Sequence, residues 1–322
     1  MSNTSGLWTR FAGKAPDADP DIGLRRELVA VNRKLDGISR SLDRLTAARK
    51  QDAKWKRIFR VQMASLVRAQ YLGSGLAAPQ ALEMHRFRLR SQNEEDGIVL
   101  ALLQAAGVSD RRFVEIGSGG SGGNSAVLAY ELGWSGLMVD ASSSAFRTAR
   151  TLFAARPSVV IARETVTPVN FDAIVTANGF AGEVDFLSID VDSIDYWLLD
   201  ALTAVNARVL VMEYNALFGP TRAVTIPDAP KPKGVPKGYF GASLAALEKC
   251  ARRKGYRLVL CEDAGVNAFF VREDLAPEIP TLGSVQAWRP KSDRYDVTGE
   301  VAFIDTDIYK LIDERELPLV DV

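Results

Sequence analysis

A chain of 322 residues with a single histidine has little room for histidine chemistry. His85 stands in Met84-His85-Arg86-Phe87-Arg88, ahead of the first strand candidate, and reaches a site only if that segment folds over it. Proton abstraction therefore falls to aspartate or glutamate, or is eased by a metal ion. Cysteine is almost as scarce. Cys250 and Cys261 show neither metal nor redox spacing, which excludes a thiolate metal cluster and points to reduced thiols in a cytoplasmic protein. No run approaches the roughly 18 apolar residues of a membrane span, and residues 1–20 lack the apolar core of a secretory signal. Net charge is missing as well, with 40 Lys and Arg against 40 Asp and Glu. No aromatic ladder or binding module accompanies the basic stretches, so nucleic acid is not an expected partner.

What the chain does have is a hydrophobic fraction of 47%, ample for a large core. Its most informative stretch is Phe113-Val114-Glu115-Ile116-Gly117-Ser118-Gly119-Gly120-Ser121-Gly122-Gly123, an apolar run that holds a carboxylate and opens into a glycine-rich turn. Phe113, Val114 and Ile116 suit a buried strand, and the glycines allow backbone N–H groups to approach a ligand closely. Gly117, Gly119 and Gly122 satisfy G-x-G-x-x-G, and Asp140 ends the next apolar run, Gly136-Leu137-Met138-Val139. That pattern fits a nicotinamide dinucleotide and S-adenosylmethionine alike. Charge tips the reading toward the second. A carboxylate at Glu115 pointing into the turn repels a pyrophosphate and attracts an ammonium and a sulfonium.

Along the chain, residues 1–22 are rich in Gly, Pro, Asp and Ser and read as a disordered start. Leu24, Leu28, Val31, Leu35, Ile38, Leu42 and Leu45 then form a heptad seam, so residues 23–75 are expected to be a helical, coiled-coil stem that joins copies of the chain through residues 24–70. Within it, residues 25–68 hold thirteen Lys or Arg against four Asp or Glu. Over 54–68, Trp55, Ile58, Phe59, Met63 and Leu66 share one helical face while Lys54, Lys56, Arg57 and Arg60 crowd another. Such a helix lies on its own protein or on the inner membrane surface as a peripheral contact. From about residue 92 helix and strand alternate: a helix at 94–108, strands at 112–117, 136–140, 158–163, 184–190 and 209–214, and helices between them. After a long Pro, Lys and Gly loop, a helix at 241–254 precedes Tyr256–Cys261 and Val266–Arg272, which only four residues separate. A gap that short holds no crossover helix, so the last two strands are antiparallel. The expected fold is α/β, a Rossmann-like class I methyltransferase sheet of five parallel strands with a terminal antiparallel hairpin, over residues 80–275, followed by a C-terminal extension at 276–322.

Four segments carry a resemblance to a known family: Ser91-Gln92-Asn93-Glu94-Glu95-Asp96-Gly97, Phe113-Val114-Glu115-Ile116-Gly117, Asp185-Phe186-Leu187-Ser188-Ile189-Asp190-Val191-Asp192 and Gly265-Val266-Asn267-Ala268-Phe269-Phe270-Val271-Arg272. Together the chain resembles the FkbM-type S-adenosylmethionine-dependent methyltransferases over roughly residues 85–275. The resemblance implies methylation of an oxygen on a sugar, a glycolipid or a polyketide-derived small molecule. It also implies that Glu115, Gly117, Ser118 and Gly119 line the methionine end of S-adenosylmethionine. Asp140, with Ala141 beside it, would meet the ribose hydroxyls, and Arg163-Glu164-Thr165 the adenine.

In an open parallel sheet the reacting groups gather beyond the carboxyl ends of the strands, here the fourth and fifth. Asp190, Asp192 and Asp195 end the fourth, and Glu213 and Asn215 the fifth. Asp190, Asp192 and Glu213 are the catalytic candidates. Residues i and i+2 share a strand face, so Asp190, Glu213 and Asn215 are also a candidate ligand set for Mg²⁺ or another divalent cation. The other option is Asp190 acting alone as general base. Tyr214 and Tyr239 either position substrate or pack. The loop 221–238 is long enough to be a lid, and Arg222, Lys231, Lys233 and Lys237 suit an anionic acceptor. The expected activity is thus an S-adenosylmethionine-dependent O-methyltransferase acting on a sugar, polysaccharide or glycoconjugate. An NAD-dependent oxidoreductase and a non-catalytic scaffold of the same fold are the alternatives.

Overall fold

The computed structural model describes residues 82–230, 232–236, 238–293, 302–303 and 307–322. The expected disordered start, the coiled-coil stem and the basic helix 54–68 lie outside the described residues. Among the described residues, no helix is long and apolar enough to cross a membrane.

Seven strands form one sheet: β1 (Arg112–Ile116), β2 (Ser135–Val139), β3 (Val159–Ala162), β4 (Gly182–Ile189), β5 (Val205–Glu213), and, after the two-residue β6 (Val224–Thr225), β7 (Tyr256–Cys261) and β8 (Asn267–Arg272). Their order is β3-β2-β1-β4-β5-β8-β7. The first five run parallel and β8 is antiparallel to both β5 and β7, which gives the Rossmann-like sheet with a terminal antiparallel hairpin that the alternation predicts. The order reverses between β1 and β4, and the crevice of such a sheet opens there.

Strand alternation sorts the apolar residues into two cores. Val114, Ile116, Leu187, Ile189, Leu210 and Met212 face helices Asp195–Ala201 and Leu244–Arg253, whereas Phe113, Phe186, Val209, Val211 and Phe269 face helix Glu95–Ala106. With both faces covered, each strand reads as a nearly unbroken apolar run. β5 begins at Val205, earlier than the sequence suggests. The carboxylate of Asp172 takes the N–H groups of Thr203 and Ala204 at 2.9 Å each, which ends the preceding helix and releases the chain into the strand.

Beyond β8 the chain stays on the same body. The Arg257 guanidinium gathers the carbonyls of Leu275, Ala276 and Ile279, and the Trp288 indole donates to Ala216 O at 3.2 Å. A short pair, β9 (Ser292–Asp293) and β10 (Ala302–Phe303), follows. Helix Ile308–Glu314 and β11 (Val320–Asp321) then return to the loop after β5, where β11 pairs antiparallel with β6. Phe218, Val224, Ile226, Tyr239, Ile308 and Ile312 close a third apolar cluster there.

Candidate functional site

At the carboxyl end of β1 the chain turns at Gly117, whose φ of +86° suits only a residue without a Cβ. A Cβ there would lie 1.5 Å from Asp190 O, so the glycine brings the end of β1 against the end of β4. Asp190 N donates to Ile116 O at 2.9 Å across the same gap.

Glu115 does not point into this turn as the sequence reading expects. Ile116 lines the cavity, and the strand alternation sends Glu115 to the opposite side. Fully buried, it accepts Asn124 N at 3.1 Å and Ser125 N at 2.9 Å, tying the far end of the glycine turn to the strand it left. Burial pushes its carboxyl up to about 8 against the pull of those bonds. Its role is to brace the turn, and the proposed attraction between Glu115 and a sulfonium has no geometry behind it. Ser118 is also turned inward, 2% exposed, with its hydroxyl on Gly119 O.

The cavity beside the turn has a volume of about 530 Å³. Gly117 and Gly119 form one wall, Asp140 and Ala141 a second, the segment Glu164–Thr167 a third, and Asp190–Ile194 a fourth, with Gln92 at the rim. Asp140 accepts Gly119 N at 2.8 Å and Ser142 N at 2.7 Å, while Ser142 itself caps helix Ser143–Leu152. Arg163, named with Glu164 and Thr165 for the adenine, is not part of the lining. Among the described residues the wall carries four acidic side chains, Asp140, Glu164, Asp190 and Asp192, and no Lys, Arg or His. Both turn glycines that line the cavity have committed N–H groups, Gly117 N to Val139 O and Gly119 N to Asp140, and Ser118 N and Gly122 N bond to Val139 O and Ser118 O.

Past Asp190 lies an acidic corner. Asp190, Asp192 and Glu213 each bring a carboxylate oxygen within 4.8 Å of the others. Burial first, then Asp195 and Asp192, pushes Asp190 up to about 7, with a hydrogen bond to Glu213 and then the Lys291 ammonium opposing. Glu213 lies well above the usual carboxylate range, chiefly from burial and then from Asp190. Asp195 is spent elsewhere, accepting Val191 N at 2.8 Å and Ser193 N at 3.0 Å to close the turn after β4.

Asn215 is not in this group. Its amide donates to Gly238 O at 2.7 Å and Phe240 O at 2.9 Å, and its Oδ1 accepts Leu217 N. β5 ends at Glu213, so the alternation that would align residues 213 and 215 stops there. The residue set that suits a hard cation is therefore Asp190, Asp192 and Glu213.

Two side chains missed by the sequence reading complete the corner. Asn267, the first residue of β8, is in register with Glu213 and 3% exposed. Its amide donates to Glu95 Oε1 at 3.1 Å, and Glu95 also holds Asn93 N at 2.7 Å, so β8 anchors the segment that carries Gln92. Asn267 and Glu95 stand in two segments whose resemblance is visible in the sequence, but their meeting across 172 positions is not. Tyr214 and Tyr239 resolve as packing residues: both are buried, and their hydroxyls donate to Arg289 O and Pro318 O. Arg222, expected to attract an anionic acceptor, is paired with Asp321 of β11. His85 does not line the cavity, and its carbonyl stands against Gly97.

No protein-family model matches the sequence, and no curated protein matches it. Among solved structures the chain is similar to the N-terminal domain of EvdMO1 with SAH bound, at 15% identity and a TM-score of 0.38 over 57% of this chain and 81% of that one. It is similar to the mitomycin 7-O-methyltransferase MmcR at 17% identity and a TM-score of 0.34, over 69% of this chain and 58% of that one. A SAM dependent methyltransferase from Aquifex aeolicus gives 13% identity and a TM-score of 0.32, over 54% and 89%. Likeness this distant adds nothing to what the strand order and the cavity say by themselves.

Proposed function

We propose that the protein is an S-adenosylmethionine-dependent O-methyltransferase acting on a hydroxyl of a sugar, polysaccharide or glycoconjugate. The observation that carries this reading is the charge of the cavity wall, four carboxyl side chains and, among the described residues, no basic one, beside a turn whose lining glycines, Gly117 and Gly119, have their N–H groups already bonded. A dinucleotide brings two phosphates and needs free donors or cations. S-adenosylmethionine brings an ammonium and a sulfonium, each worth about 4 kcal/mol beside a carboxylate at 4 Å in the dielectric near a protein surface. The discrimination first assigned to Glu115 thus belongs to the wall as a whole. Asp140 is the candidate for the ribose hydroxyls, and Gly117 and Gly119 for the methionine end.

In the transfer, an acceptor oxygen attacks the methyl carbon in line with the breaking carbon–sulfur bond. Its proton leaves to a carboxylate, and S-adenosylhomocysteine and the methyl ether remain. Asp190, which belongs both to the cavity wall and to the acidic corner, is the carboxylate in place for that proton. Alignment supplies most of the acceleration, since little else has to be done to the methyl group. In the metal-assisted form of the reading, a divalent cation at the corner, Mg²⁺ foremost, makes the hydroxyl more acidic. The acceptor class rests on the family resemblance, and the corner suits it because its carboxylates accept hydrogen bonds from hydroxyls.

Incubation with S-adenosylmethionine and a panel of glycans, followed by measurement of S-adenosylhomocysteine release, tests the reading. Release that depends on a glycan is the expected result. Cofactor binding without turnover on any hydroxyl-bearing acceptor would remove the acceptor claim, and NADH binding in its place would remove the donor claim.

A further inference from the structure

We infer that Asp190, Asp192 and Glu213 form a divalent-cation site, open toward the cavity, that selects acceptors offering two adjacent oxygens, as a vicinal diol does. The inference rests on the methyl-transfer reading for its acceptor, though not for the ion. Three carboxylates within 4.8 Å of one another are not a site by themselves. The independent observation is on Glu213: its side chain is 5% exposed, and its Oε2 has no hydrogen-bond partner. Beside it in the β5–β8 register, Asn267 leaves its Oδ1 equally buried and without a partner. Side chains directly opposite in an antiparallel pair stand about 5 Å apart at Cβ. Two buried acceptors are thus left side by side, each costing about 1–3 kcal/mol while nothing donates to it. Water-filled surface carboxylates carry no such penalty.

The donor set decides which guest fits. All the candidate atoms are oxygens, hard ligands that Mg²⁺, Mn²⁺ and Ca²⁺ prefer, and no imidazole or thiolate stands among them to favour zinc. One oxygen from each carboxylate leaves about three positions of a six-coordinate ion unfilled. Asp190 and Asp192 also line the cofactor cavity, so those positions face the place where the methyl is delivered. A single hydroxyl fills one of them. A vicinal diol fills two and is fixed in orientation, with the second oxygen of Asp190 left for the proton. Asn215, occupied with Gly238 and Phe240, takes no part.

The probe is Mn²⁺ itself, titrated into the full-length protein and followed by electron paramagnetic resonance, with Mg²⁺ as competitor. The expected result is one Mn²⁺ per chain, displaced by Mg²⁺ and weakened at least tenfold by Asp192→Asn and by Glu213→Gln. Glu164→Gln, on the far wall, leaves it unchanged. Asp192 is exposed, so Asp192→Asn keeps the test alive if Glu213→Gln does not fold. Absence of stoichiometric Mn²⁺ binding, or binding indifferent to both corner variants, overturns the site. Binding of S-adenosylhomocysteine, measured separately by calorimetry, tells the two claims apart. A protein that takes S-adenosylhomocysteine but no Mn²⁺ keeps the methyl-transfer reading and loses the cation, and the reverse result loses the donor. In glycan turnover, Mg²⁺ dependence confined to acceptors with vicinal hydroxyls supports the chelate, and equal turnover of acceptors without them contradicts it.

Discussion

On the β1–β2 side of the sheet edge, Glu115 and Asp140 spend their oxygens on N–H groups of the glycine turn and of the chain that follows β2, whereas on the β4–β5–β8 side Glu213 and Asn267 keep buried oxygens that nothing takes. The first half is complete in itself. Its carboxylates hold a loop in shape, and removal of the buried one, Glu115, is felt by the fold before any ligand arrives. The second half is balanced only when something donates to it, so its carboxylates cost the fold stability. On the proposed reading, the difference separates a preformed cofactor cradle from an acceptor corner that its guest must finish.

The largest effect that can break this contrast is expected from Glu115→Ala. It leaves Asn124 N and Ser125 N without an acceptor inside the core, and urea denaturation should show a loss of about 3 kcal/mol or more, together with loss of S-adenosylhomocysteine binding. Asp140→Ala acts next. Exposed enough for solvent to replace its bonds, it should keep the fold, while calorimetry finds S-adenosylhomocysteine affinity lowered ten- to a hundredfold, about 1.4–2.8 kcal/mol.

Protonation sharpens the comparison from another direction. Burial lifts Glu115 from an unfolded value of 4.5 to about 8 in the fold, with Asp190 adding a smaller push, so the folded state keeps a proton that the unfolded chain releases. The stability this gives is full below about pH 4.5 and is lost as pH rises toward about 8, by at most about 1.4 kcal/mol per unit. Denaturation series across that window should show the slope in the wild type and its flattening in Glu115→Gln. The smallest expected effect has the opposite sign. In chelator, Glu213→Gln should leave the melting temperature unchanged or raise stability by up to about 1 kcal/mol, because it removes a carboxyl whose ionised form burial and Asp190 oppose and whose Oε2 has no hydrogen-bond partner. A loss as large as that of Glu115→Ala would show that the two halves are built alike.

Sheet and helices were legible because their apolar runs and turn residues act locally. The four residues between Tyr256–Cys261 and Val266–Arg272 were enough to fix the antiparallel end of the sheet. Which face Glu115 takes was not legible, since a glycine spacing says nothing about the side of the strand that precedes it. Asn215 was misplaced for a related reason: the period-two rule was carried two residues past the end of β5. Asp190, Asp192 and Glu213 were found because carboxylates at strand ends stand out in an apolar run. Asn267 and Glu95 lay in segments noticed for their resemblance alone, and the return of β11 to β6 joins residues about a hundred positions apart with no local signal at all.

The most direct test of the central claim, that an acidic wall and a turn whose lining N–H groups at Gly117 and Gly119 are already bonded select a cationic sulfur donor, is a paired calorimetric titration of the full-length protein with S-adenosylmethionine and with NADH. Saturable heat with the first at one molecule per chain, and none with the second, is the predicted result. Saturable heat with NADH and none with S-adenosylmethionine would contradict it.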